Sequence, residues 1–146
     1  MPRYFTLEQA ESLLPAVKGQ LEQAIKLKQE SEGAQRELQR HNQRVASMGG
    51  MLIDRQELLR LRARMDATAM RLSEVVASVQ QAGVLIKDLD IGLIDFPTLF
   101  GGREVMLCWR LGEEAIRFWH GAEEGYRGRK EIDADFLAGH RGDPEI

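Results

Sequence analysis

The feature that most constrains this chain is a change of hydrophobic period at Gly83. From Thr6 to Ala82 the apolar residues recur in steps of three and four, the spacing of a helix face. From Val84 to His120 they alternate and cluster as in strands, broken by Gly92, Pro97, Gly101, Gly102 and Gly112. The pattern predicts an α+β fold: a long antiparallel helical hairpin, a coiled-coil-like arm, on a small antiparallel β-sheet of about four strands. An arm projecting from a compact base predicts a molecule shaped to touch something else.

Local signals place the helices. Thr6 and Gln9 make a capping box, and the ladder Ala10, Leu14, Val17, Leu21, Ala24 follows, with Pro15 expected to kink it. Between Lys28 and Arg44 the helix is polar. Gly49-Gly50 makes the turn, Asp54 and Glu57 cap the second helix, and Ile53 with Leu58 forms a hydrophobic staple. Leu58, Leu61, Met65, Thr68, Leu72, Val75 and Val79 then form a coiled-coil seam. Pairing across the turn leaves residues 7–17 beyond the end of the second helix, so they bend over the sheet and cap its core. One polar helix cannot cover the apolar seam facing it, which predicts a homo-oligomer.

In the base, Val84–Asp88 and Leu93–Phe96 read as one hairpin, and Glu104–Arg110 with Ala115–Trp119 as a second, closed by the loop Leu111–Glu114. That loop sets Arg110 opposite Ala115 and Cys108 opposite Arg117. Val105, Leu107, Trp109, Ile116 and Phe118 then form the core face. Met106, Cys108, Arg110, Arg117 and Trp119 form a mixed face, with His120 pointing away from Cys108. One domain is expected over residues 1–132: an arm at 7–82, a β-meander base at 83–120 and a closing segment at 121–132. An acidic tail at 133–146 follows, whose Phe136 and Leu137 could dock.

Charge divides the same way. Residues 26–71 carry ten Lys/Arg and six Asp/Glu, a net of +4, whereas residues 72–146 carry eight and fourteen, a net of −6. The lone cysteine, Cys108, excludes an internal disulfide. No apolar run reaches the ~18–20 residues of a membrane span, and no signal-peptide pattern precedes Thr6. A reduced, cytoplasmic protein is expected, with no membrane partner.

The stretches Lys87-Asp88-Leu89-Asp90, Gly92-Leu93-Ile94-Asp95-Phe96-Pro97, Leu107-Cys108-Trp109-Arg110-Leu111-Gly112, Phe118-Trp119-His120 and Gly125-Tyr126-Arg127-Gly128-Arg129, with Tyr4-Phe5-Thr6-Leu7 near the start, carry a resemblance. Over residues 4–132 the chain resembles a bacterial family, domain of unknown function 2203. The resemblance implies kinship of fold and no particular activity.

Several constellations are candidates for chemistry. Asp88, Asp90 and Asp95 flank one turn and offer hard oxygens to Mg²⁺ or Ca²⁺, although turn capping is the ordinary use of such aspartates. His120 and Glu124, with Cys108, offer a transition-metal set, against the commoner role of a strand-end histidine bonded to backbone. No particular cofactor is implied beyond such a divalent metal. Trp119 beside Arg110, Arg117 and Cys108 makes an aromatic-plus-guanidinium surface for a planar or anionic ligand, or else a stack covered by the tail. On the arm, Arg36, Arg40 and Arg44 form a stripe, with Arg60 and Arg64 on the opposite helix. Met48 and Met51 sit at the tip. These residues suit an acidic protein or nucleic acid, where a solvated face is the plainer alternative. The functional expectation is a non-enzymatic binding or adaptor protein acting through the basic arm. The alternative is a small metal-dependent or ligand-binding enzyme with its site on the sheet.

Overall fold

The computed structural model describes residues 3–48 and 54–144. Helix α1 spans Leu7–Ser47, capped by Thr6, whose hydroxyl accepts from the Gln9 amide while the Gln9 side chain accepts from the Thr6 amide. Pro15 lies inside this one helix. Helix α2 spans Arg55–Gln81 and is capped by the Asp54 side chain. Gly49, Gly50, Met51, Leu52 and Ile53, and with them the proposed turn and staple, lie outside the described residues.

The sheet is antiparallel. Strands β1 (Leu85–Asp88), β2 (Leu93–Phe100), β3 (Arg103–Arg110), β4 (Phe118–Gly121) and β5 (Lys130–Glu131) are neighbours in that order. A short β6 (His140–Arg141) pairs with the far end of β2, so the meander carries two small additions beyond the expected four strands. Gly92 turns β1 into β2 at φ 69°, and a Cβ there would lie 2.5 Å from that of Leu111.

The core sits at the base. Ala10, Leu14, Val17 and Leu21 of α1 pack on Ile94, Phe96, Leu107 and Trp109 of the sheet, and Phe5 meets Phe96 edge-on at 5.4 Å. The first turns of α1 thus cover the sheet as their overshoot required. Further out, the helices bury one large apolar side chain, Leu61, among small or polar ones: Ala34, His41 and Thr68. Glu37 bridges the two helices, lying 3.4 Å from Arg64 and 3.8 Å from Arg60. Leu58, Met65, Leu72 and Val75 are only half-buried, and Leu59 and Met70 are each 66% exposed.

The second hairpin differs from its expected register. Cys108 pairs with Phe118 and Leu107 with Trp119, so β4 is shifted by one residue and every side chain on it changes face. The cause is the connection. The Glu113 carboxylate accepts from the Arg110 amide, and its carbonyl accepts from the Trp109 indole. Ile116 is buried in the core, and its amide donates to Glu11 on α1. The chain from Leu111 to Arg117 therefore leaves the sheet to anchor on a helix, and the strand resumes only at Phe118. Trp119 turns to the core face; Phe118 and His120 join Cys108 on the other.

Helix α3 (Ala134–Gly139) brings the buried Phe136 onto Trp119, with ring centroids 4.8 Å apart, so the tail docks as part of the base. Among the described residues no helix is long and apolar enough to cross a membrane.

Candidate functional site

The register shift creates a side-chain cluster on the second face of the sheet. Asp95 on β2 and Cys108 on β3 are direct cross-strand partners. His120 on β4 lies diagonal to Cys108, within reach of both. One ligand-capable atom from each lies within 4.8 Å of the other two. The residues are 1%, 0% and 3% exposed. His120 Nε2–H donates to both Asp95 oxygens, at 3.0 and 3.1 Å, and Nδ1–H donates to the Gly121 carbonyl at 2.8 Å. A ring that donates from both nitrogens is an imidazolium. Its pKa is pushed up to about 10, first by the hydrogen bond to Asp95 and then by Cys108, against the cost of burial. The 3₁₀ turn Tyr126–Gly128 and Arg129 lie over this face. Arg129 stacks 4.1 Å from the Phe118 ring centroid and holds both Glu113 oxygens at 2.7 Å.

The five metal candidates are therefore divided among three places. Asp95 and His120 are joined and buried with Cys108. Asp88 accepts from the Asp90 amide at an exposed turn, and Asp90 binds Lys28. Glu124 accepts from the Gly121 amide and from Lys130, which holds its carboxyl below the usual range. Cys108, Arg110, Arg117 and Trp119 do not form one surface either. Cys108 and Arg110 share the second face, Trp119 stacks under the tail on the first, and Arg117 is exposed beside Glu114 at 3.7 Å. Sequence reasoning grouped Asp95 with the turn aspartates. The contrary signal was a lone charge inside the apolar run Gly92-Leu93-Ile94-Asp95-Phe96-Pro97, where a carboxylate needs a buried partner.

On the arm, Arg36, Arg40 and Arg44 are exposed and make no ion pair among the described residues. Arg60 and Arg64 are instead engaged: Arg60 donates twice to Glu57, at 3.1 and 2.8 Å, and Arg64 reaches Glu37. Arg40 and Arg44, with Glu37, Gln43, Ser47 and Glu57, line an open groove of about 600 Å³. Met48 is half-exposed beyond it, and Met51 lies outside the described residues. His41, not singled out from the sequence, is only 5% exposed, and its Nε2 has no partner among the described residues. Its signal was the heptad step Leu27, Ala34, His41, which puts an imidazole in the seam.

A family model described as Uncharacterized conserved protein (DUF2203) matches residues 3–132. The chain belongs to this family. The match spans α1, α2 and the sheet through β5, and thus every residue of both candidate sites; α3 and β6 lie past its end. No curated protein and no solved structure matches the chain.

Proposed function

We propose that this DUF2203 protein is a non-catalytic binding protein whose basic arm docks on an acidic protein surface. The observation that carries this reading is the contrast along the arm: Arg60 and Arg64 are neutralised internally, while Arg36, Arg40 and Arg44 stand exposed and unpaired among the described residues beside an open groove. Exposed Met48, Leu59 and Met70 on the same arm favour a protein over a nucleic acid, since arginine mixed with methionine and leucine marks protein interfaces. The sheet cluster, by comparison, is closed to a substrate. A specific form of the reading is favoured by the charge division: the arm of net +4 complements the base region of net −6 on a second copy. A reciprocal exchange of arm and base would close a two-fold dimer.

The test is charge reversal, Arg36→Glu, Arg40→Glu and Arg44→Glu together, combined with a photo-crosslinking residue at Gln43. In the unreversed protein the crosslink should map to acidic segments, either of another protein or of residues 72–146 of a second copy. It should fade with salt and vanish on reversal. Light scattering separates the two partners: self-docking predicts an oligomer that salt and reversal dissociate. Crosslinks to nucleic acid, or crosslinks indifferent to reversal, refute the proposal.

A further inference from the structure

We propose that Asp95, Cys108 and His120 form a structural site for a thiophilic divalent cation of the zinc type, built across the three central strands of the sheet. The donor set is the first reason. A thiolate, an imidazole and a carboxylate suit Zn²⁺ and disfavour Mg²⁺ or Ca²⁺, which take oxygen ligands. Geometry is the second. Neighbouring ligand atoms around a tetrahedral zinc lie roughly 3–4 Å apart. Here Nε2 is 3.0 and 3.1 Å from the two Asp95 oxygens, and the three donors fall within 4.8 Å. Three rigid, paired strands present them, so small side-chain rotations close the remaining gap. The three residues fill three of the tetrahedral positions and leave the fourth to a water molecule.

The outer partners also fit. His120 Nδ1 is bonded to the Gly121 carbonyl, which fixes the ring and aims Nε2 at the other two donors. The Arg129 guanidinium lies over Phe118 on the same face and is itself held by Glu113.

Entry of M²⁺ releases the proton on Nε2 and that on Sγ, leaving the cation held by a carboxylate, a thiolate and a neutral imidazole. The closing segment covers the face, so loading is expected during folding.

The experiment uses the full chain, stripped with chelator and titrated with Co²⁺, both folded and during refolding from denaturant. One equivalent should bind with a thiolate-to-cobalt charge-transfer band in the near ultraviolet and tetrahedral bands in the visible. Zn²⁺ should displace it. Cys108→Ser should fold, as judged by circular dichroism, and lose the charge-transfer band. Imidazole ¹⁵N spectra of the native protein with Zn²⁺ should show His120 losing the proton on Nε2 only. No band under either loading condition, or His120 retaining both protons in excess Zn²⁺, means the cluster is a buried ion pair and overturns the proposal. A band that survives in Cys108→Ser places the metal elsewhere and overturns it equally.

Discussion

The base and the arm each bury one histidine, and the two are treated oppositely. His120 in the base is 3% exposed with both ring nitrogens bonded. His41 in the arm is 5% exposed with Nε2 unpartnered among the described residues. The surroundings follow suit. The base packs Phe96, Leu107, Trp109 and Phe136 at 1% exposure or less. The arm closes on Leu61 with Ala34, Thr68 and His41, and leaves Leu59 and Met70 in solvent. Each region keeps one buried nitrogen without a partner among the described residues, His41 Nε2 in the arm and Arg129 Nε in the base. The contrast therefore rests on the large apolar side chains, packed away in the base and most exposed on the arm, the region with contacts still to make.

The largest test of this contrast is His120→Ala in metal-stripped protein. Removing the imidazolium strands the Asp95 carboxylate in the sheet, and denaturant unfolding should show a loss of about 3–5 kcal/mol. A loss near zero would erase the distinction between the regions.

A smaller effect should appear with pH. His120 titrates at about 10 in the folded chain against 6.5 unfolded, so the native state holds the extra proton between those values. Its stabilisation is complete below pH 6.5 and is lost as pH rises towards 10. The loss should be on the order of a few kcal/mol, and thermal melts across that window should show it in metal-stripped protein but not in His120→Ala.

The smallest effect should have the opposite sign. His41→Leu removes an unsatisfied buried nitrogen and should raise stability by about 1 kcal/mol in the same unfolding assay. A destabilisation would mean that His41 is satisfied within the arm.

Much of the fold was legible because it rests on local rules. The Thr6 and Asp54 caps, the two helical ladders and the first strand pair follow from residue spacing. What the spacing missed was the length of one connection. Glu113 closes the loop locally on Trp109 and Arg110, but Ile116 has its partner in Glu11, and no periodicity reports a tether to a helix a hundred residues away. That single tether decides whether His120 meets Cys108 or faces away from it. The cluster is therefore out of reach of the spacing, although each of its members stands out as a candidate on its own. The tail's docking was readable only as the presence of Phe136.

Near its two ends the described chain is stitched together. The Tyr4 amide donates to the Asp143 carboxylate, the Asp143 amide donates back to the Tyr4 carbonyl, and the Leu7 amide donates to His140 Nε2. These bonds lie at the foot of the molecule, at the opposite end of α1 from Met48. A handle joined at Tyr4 or at Asp143 would emerge from the same spot and leave the arm pointing outward. Attached to a surface by such a handle, the protein would present its reach to the solution like a bristle, and a chain reopened elsewhere and joined here would have little gap to bridge.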